Sequence, residues 1–362
     1  MNDLQTTRAE IHSVDEEMAR LFEKRMRLSE KVAAFKAGNG LPVFDPVQEA
    51  KVLEANASFI SDPVLKGYYK LFLQKNMDLS KAYQARLMQG MKIAYCGIPG
   101  AFAHLAAQKL FPDAEQIAFP DFDSAYRACE DGAADAAILP VENSYAGDVG
   151  AVMDLSFSGS LFINIMMEMD ISQNLVGISG AREEDVRTVI SHPQALAQCY
   201  AYIKGHGLQE KEVENTAIAA KYVADLGDKS TAAIASAQTA SLYGLEILRA
   251  GINSSSLNTT RFAVFSRTLS RVAAGNDAHF ILVFTVRNEA GALAKTLNII
   301  GSHGFNMSCL HSRPLKGPQW NHYFFVELEG DINSEDGEDL LRQMRTVCDN
   351  LKLLGGYRIA KI

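Results

Sequence analysis

Arg25 and Lys36 stand eleven residues apart, three helical turns, so on one helix they share a face. Arg8 lies about a turn past the edge of that face, Glu49 opens a later stretch, and Ser80 and Gln84 are four apart and adjacent on another helix. Cations, a hydroxyl, an amide and one carboxylate suit the grip of a small polyanion by charge and hydrogen bonding, without a nucleophile. A second group lies further on. Pro140-Val141-Glu142-Asn143-Ser144, Ser191-His192-Pro193-Gln194 and Asn215-Thr216-Ala217 each set polar side chains after an apolar run, and Asn258-Thr259-Thr260-Arg261-Phe262 puts a hydroxyl beside a guanidinium. Singly, each of these is also an ordinary cap or turn signal, so they weigh as a set.

The elements that must position the first group read as helices. Leu4, Thr7, Ile11, Val14, Met18, Leu21, Arg25, Leu28, Val32 and Phe35 follow the alternating three-and-four spacing of a long packed helix. An unpaired guanidinium in that seam loses hydration, which an anion bound there offsets. The helix is predicted from near Asp3 to about Ala37, where Gly38-Asn39-Gly40 stops it. At ~1.5 Å per residue it is about 50 Å long, more than a small globule covers, so a dimer built on this helix is expected. Asp45-Pro46 and Asp62-Pro63 read as the N-caps and first turns of two more helices, with Gln48 as a capping mate of Asp45, and the third ends before Gly90. Its apolar face, Leu65, Tyr69, Phe72, Leu79 and Tyr83, carries one asparagine, Asn76.

From Met91 the period becomes strand-like. Strands are predicted at Lys92–Tyr95, Ala136–Pro140, Val186–Ile190, Thr231–Ala235 and Arg261–Ser266, with helices between most of them. That alternation is a three-layer α/β domain, whose ligands bind in a cleft at the carboxyl ends of strands. Arg271–Asp277 reads as a linker. Beyond it, a strand (279–287), a helix (291–303), two strands (306–312 and 321–329) and a helix (335–351) suggest a small α+β ferredoxin-like domain. The expected boundaries are 1–88, 91–268 and 278–360.

Composition excludes several classes. The net charge of −8 argues against nucleic acid as a partner. Residues 1–90 carry 13 basic against 12 acidic side chains, so the acidic excess lies in the remainder. No apolar run reaches the ~20 residues that span a membrane, and no secretory signal is visible at the start. Five scattered cysteines show no disulfide or zinc-ligand spacing, which fits a reducing cytoplasm.

Taken in order and spacing, Arg8, Arg25, Lys36, Asp45, Glu49, Ser80 and Gln84 resemble the active-site set of the all-helical chorismate mutases. The resemblance implies three helices per chain interlocked in a dimer, with Arg8 completing the site of a second copy. Arg8 and Arg25 would clamp the carboxylates of chorismate with help from Ser80. Lys36 and Gln84 would donate to the breaking ether oxygen, and Glu49 would hold the ring hydroxyl. Gln48 stands in this binding set where the family often has arginine.

The second group, with Tyr243-Gly244-Leu245 and the turn Gly97-Ile98-Pro99-Gly100, resembles prephenate dehydratase. This implies two periplasmic-binding-like subdomains with prephenate between them. Thr260 would be the proton donor as the ring hydroxyl leaves. Asn143, Ser144, Thr216 and Arg261 would hold the substrate, and His192 reads equally as a cap or a catalyst. No metal or other cofactor is implied. Gly291-Ala292-Leu293-Ala294 and His311-Ser312-Arg313-Pro314 resemble the two phenylalanine-sensing motifs of the ACT domain, with His311 where the family usually has glutamate. They imply phenylalanine as an allosteric effector enclosed at an oligomer interface, dimeric or tetrameric. Together the three parts point to a bifunctional enzyme converting chorismate through prephenate to phenylpyruvate. Two alternatives are a monofunctional dehydratase whose helices serve only dimerisation and a non-catalytic dicarboxylate sensor.

Overall fold

The computed structural model describes residues 3–254, 258–270, 277–315 and 321–361. The chain forms two compact units, Met1–Met91 and Lys92–Ile362. Most of the expected linker, Arg271–Asn276, lies outside the described residues.

The first unit is three helices: α1 (Asp3–Gly38), α2 (Pro46–Ala57) and α3 (Pro63–Gln89). The Asp45 carboxylate accepts from the Gln48 N–H at 3.0 Å, and Asp62 accepts from the N–H groups of Val64 and Leu65 at 2.7 and 3.1 Å. These bonds satisfy donors that a helix start otherwise leaves orphaned. Helix α1 packs on α3 through a thin core that includes Ala33, Leu73 and Met77. The apolar seam of α1 faces elsewhere. Leu4, Ile11, Val14, Met18, Leu21, Leu28, Val32 and Phe35 each expose 43–65 % of their surface.

The second unit begins with a lobe of β1 (Lys92–Cys96), α4 (Phe102–Leu110), β2 (Glu115–Phe119), α5 (Phe122–Glu130), β3 (Ala136–Asn143), the short β4 (Gly147–Asp148), α6 (Gly150–Ser158) and β5 (Phe162–Asp170). The chain then crosses into a second lobe: β6 (Asn174–Gly177), β7 (Thr188–Ser191), α7 (Pro193–Gln198), α8 (Tyr200–Gly205), β8 (Gln209–Glu212), α9 (Thr216–Leu226), β9 (Thr231–Ala235), α10 (Ala237–Leu242) and β10 (Glu246–Arg249). It returns as β11 (Thr259–Ser266), which inserts antiparallel between β3 and β5 of the first lobe. The second-lobe sheet runs β10-β6-β9-β7-β8.

The remaining residues form β12 (Ala278–Thr285), α11 (Ala292–Ser302), β13 (Asn306–Pro314), β14 (His322–Glu329), α12 (Glu335–Val347) and β15 (Asn350–Lys361). The sequence-based helix to Leu351 is corrected here. Helix α12 ends at Val347, and residues 350–361 are a strand. Asn350-Leu351-Lys352-Leu353-Leu354 alternates and lies against β12, so tertiary pairing overrides the helical period. The strands order as β13-β14-β12-β15. The end of β15 pairs parallel with β5, with Ile359 opposite Met166, which joins this sheet to the first lobe as one ten-stranded sheet. Gly355 permits the join: a Cβ there would sit 1.8 Å from the Ile163 carbonyl oxygen. One core cluster spans the junction, with Phe265 and Ile163 packed among Ile281, Phe325 and Leu354. Among the described residues no helix is long and apolar enough to cross a membrane.

Candidate active sites

In the helical unit, α1 and α3 bring Arg25 and Ser80 together, and Gln84 lies one turn beyond Ser80 on α3. Arg25 Nη1 donates to Asn76 Oδ1 at 2.8 Å, to the Asn76 carbonyl at 3.2 Å and to the Ser80 hydroxyl. Burial lowers the Arg25 pKa. Ser80 and Gln84 are buried, and Gln84 Oε1 has no hydrogen-bond partner. A buried carbonyl oxygen without a partner is one that a ligand or water can satisfy. Lys36 Nζ donates to the Val43 carbonyl at 2.5 Å, which ties the end of α1 to the loop before α2.

Glu49, on α2, accepts from Lys81 Nζ at 2.8 and 3.0 Å and from Gln74 Nε2 at 2.6 Å. The bonds from Lys81 and Gln74 lower its pKa and keep it ionised. Asp45 is occupied as the cap of α2, and Gln48 is exposed. Arg8 is exposed on α1, seventeen residues before Arg25. At about 1.5 Å per residue the two are separated by roughly 25 Å along the axis, so they cannot share a site in one protomer. Sequence reasoning missed Lys81 and Asn76. The signal for Asn76 was its place in an apolar stripe. Nothing local marks Lys81, because its role depends on how α2 lies on α3.

In the second unit, Thr260 and Asn143 meet where the start of β11 lies in register with the end of β3. Asn143 Nδ2 donates to Thr260 Oγ1 at 2.9 Å and to Asn258 Oδ1 at 2.9 Å. Asn143 Oδ1 accepts from the N–H groups of Tyr145 and Ala146 at 3.1 and 2.9 Å, and from Gln194 Nε2 of the second lobe at 2.9 Å. Asn143 is therefore a saturated node that orients Thr260. A hydroxyl oxygen that accepts an N–H bond becomes a better O–H donor. Ser144 is tied to the same strand, its Oγ accepting from the Thr259 N–H at 2.9 Å.

The second lobe contributes helix starts. His192 caps α7, its Nδ1 accepting from the Gln194 N–H at 3.2 Å, and burial lowers its pKa, so it is neutral at pH 7. Thr216 is the buried first residue of α9, behind the cap Asn215, whose Oδ1 accepts from the Ile218 N–H at 2.8 Å. Such a helix start favours a carboxylate. The glycine turn meets this lobe directly. Tyr243 OH and Thr239 Oγ1 donate to the carbonyls of Pro99 and Gly100, both at 2.7 Å. Gly100 has φ +92, and a Cβ there would lie 3.1 Å from Thr239 Cγ2, so the close approach of the lobes requires glycine. A cavity of about 340 Å³ opens along α4 between the lobes, lined by residues that include Phe102, Leu105, Asp170, Asn174 and Met169. Met169 is the cross-strand neighbour of Thr260.

Arg261 departs from its expected place at the substrate. It follows Thr260 on β11 and points to the opposite face of the strand. Its Nη1 and Nη2 donate to the two oxygens of Glu327, on β14, both at 2.6 Å. The effector-motif residues also differ from expectation. His311 Nδ1 lies 2.6 Å from Asp148, and Arg313 Nε and Nη2 donate to Asp154 at 2.9 and 3.2 Å, so both side chains are bound to the first lobe. Tyr323 OH donates to the same Asp154 at 2.8 Å. Ser312 and Pro314, between and beyond them on β13, are exposed. Gly291, in the left-handed region at φ +82, opens α11 ahead of Ala292 and Leu293.

Residues 93–269 match the prephenate dehydratase family and residues 7–85 the type II chorismate mutase family. A bifunctional chorismate mutase/prephenate dehydratase of Aquifex aeolicus (strain VF5) is 31% identical over 99% of this chain and 98% of its own length. Two solved structures resemble the second unit. A prephenate dehydratase of Arthrobacter aurescens in complex with L-Phe superposes with a TM-score of 0.70 at 25% identity, covering 74% of this chain and 90% of that one. A protein described as GqqA, a novel type of quorum-quenching acylase, gives a TM-score of 0.69 at 34% identity, covering 74% and 98%.

Proposed function

This chain belongs to the bifunctional chorismate mutase/prephenate dehydratase family, and on that premise we propose how its parts divide the work. It rearranges chorismate to prephenate, then decarboxylates and dehydrates prephenate to phenylpyruvate. Residues 1–88 carry the mutase, 91–268 the dehydratase and 278–360 an ACT domain.

In the mutase, Arg25 and Ser80 take one carboxylate of chorismate, and Arg8 of a second copy takes the other. Lys36 and Gln84 stabilise charge on the breaking ether oxygen, and ionised Glu49 accepts from the ring hydroxyl. This is positioning plus preorganised electrostatics, and no covalent intermediate forms. The exposed apolar seam of α1 supports an intertwined dimer, since a stripe of that length in water favours a matching cover.

In the dehydratase, the carboxylate lost as CO2 leaves its bonding pair in the ring. The ring becomes aromatic as the hydroxyl departs with a proton from Thr260. Asn143 positions the donor, and Thr216 at the start of α9 holds a substrate carboxylate. The single observation that carries this reading is the 2.9 Å bond from Asn143 to Thr260 where the two lobes meet. The split strand–helix–strand order of residues 278–361 supports the ACT reading, and a relative bound to L-Phe supports phenylalanine as effector. Five free cysteines fit a cytoplasmic setting. The test is Thr260→Ala in the full chain with prephenate as substrate. Loss of phenylpyruvate formation with chorismate turnover retained is the expected result, and an unchanged dehydratase rate removes Thr260 from the mechanism.

A further inference from the structure

Behind Thr260, on the other face of β11, lies a charged cluster that the reaction does not touch. Arg261 binds Glu327 through both Nη atoms at 2.6 Å, and Glu142 and Glu168 lie 3.4 and 3.8 Å from the same guanidinium. Tyr357 OH, on β15, donates to Glu327 Oε1 at 2.8 Å, and His279 Nδ1, on β12, lies 3.7 Å from that oxygen. The Glu327 side chain is only 3% exposed. Burial works to raise its pKa, and the bonds from Arg261 and Tyr357 outweigh burial and leave it lowered.

Two features argue against a role in stability alone. A buried ion pair adds little over an apolar pair of similar size, because both ions lose their hydration. The pair also sits beside an irregularity in one of the two ladders of β11, the one to β3. The register between β11 and β3 shifts between Arg261 and Phe262, where Phe262 faces Pro140, a residue without an N–H. On the β3 side the pairing is therefore interrupted one residue from Thr260, while on the other side β11 keeps its register with β5 from Thr259 to Val264. A bidentate guanidinium–carboxylate pair fixes direction as well as distance, and it supplies there what the ladder lacks.

We propose that Glu327 is a positioning residue for the dehydratase reaction: through the Arg261 guanidinium it sets the rotation of β11 and so aims the Thr260 hydroxyl. The C-terminal sheet is then part of the dehydratase site's support. This inference rests on Thr260 as the proton donor.

The test compares Glu327→Gln, Arg261→Lys and their combination in the full chain, with prephenate as substrate. Each single change is expected to lower kcat roughly tenfold or more while KM moves less than about twofold, because a misaimed donor slows the chemical step and leaves binding intact. The combination is expected to be no slower than the slower single variant, since either change breaks the same pair. A Glu327→Gln variant with a folded second unit by circular dichroism and kcat within about twofold of the parent overturns the proposal, as do single losses that multiply. Should Glu327→Gln not fold, Tyr357→Phe, which removes one bond to Glu327, decides: a lower kcat at unchanged KM supports the proposal and an unchanged kcat overturns it. Thr260→Ala is run alongside. If that variant keeps its rate, the reading of Thr260 fails; if it loses its rate while the Glu327 variants keep theirs, the positioning inference alone fails.

Discussion

Gln194 and Thr260 belong to different lobes and share one residue, Asn143: Gln194 Nε2 donates to Asn143 Oδ1 at 2.9 Å, and Asn143 Nδ2 donates to Thr260 Oγ1 at 2.9 Å. The contact between lobes thus ends on the hydroxyl assigned as proton donor. A separation of the lobes that breaks the first bond leaves Asn143 held within the first lobe by Tyr145 and Ala146 and by Asn258, but without its tie to the second lobe.

Asn143→Asp tests this relay. It keeps the shape and the acceptor for Gln194 and removes the N–H that orients Thr260. Loss of one preorganised donor costs about a hundredfold in rate. Dehydratase kcat is expected to fall by about that factor, followed by phenylpyruvate absorbance. A rate equal to the parent's would remove the relay.

Lys81→Met tests the anchor of Glu49. In the parent, the bonds from Lys81 and Gln74 hold the Glu49 pKa below its ordinary value, so the carboxylate stays ionised to lower pH than an ordinary glutamate does. Removing the lysine lets that pKa rise. The acid limb of the mutase pH profile is expected to move to higher pH, and an unmoved limb contradicts the assignment of Glu49.

His192→Asn tests the neutral cap. The folded pKa of His192 is lowered by burial, so its stabilising contribution is present above about pH 6.5 and is lost as pH falls through the lower folded value. Asparagine caps helices well and does not titrate. The thermal midpoint of the second unit is expected to fall less between pH 7.5 and 5 in the variant. Identical slopes would mean that His192 does not contribute.

Leu21→Glu tests the cover of α1. Leu21 lies in the exposed apolar seam, and a charge there opposes a second copy. Mutase activity is expected to drop at least tenfold, with a smaller species in sedimentation and dehydratase kcat within about twofold. A smaller species with full mutase activity contradicts a site completed by Arg8 of a second copy.

Much of the fold was legible because its signals are local. Asp45-Pro46 and Asp62-Pro63 cap helices in the structure as the residue types require, and Gly38 and Gly90 mark the ends of α1 and α3. The final strand was not legible. Its alternation follows directly on the helical period of 335–347, and only pairing with β12 and β5 separates the two. Asn143 and Thr260, read as members of one set in the sequence, meet in the structure. The role of Arg261 was not, because its anchor, Glu327, lies 66 residues away and reaches it through a sheet junction that depends on Gly355. Lys81, and the partner of Gln194 within its polar motif, escaped for the same reason: each acts through a contact between elements, which spacing along the chain does not record.

The most direct measurement is product analysis after full-length Lys36→Ala and Thr260→Ala chains are incubated separately with chorismate and with prephenate. The expected result is that Thr260→Ala converts chorismate and stops at prephenate, while Lys36→Ala leaves chorismate untouched and still converts prephenate to phenylpyruvate. Loss of both reactions in a folded single variant, or phenylpyruvate from chorismate in either, contradicts two separate sites on one chain.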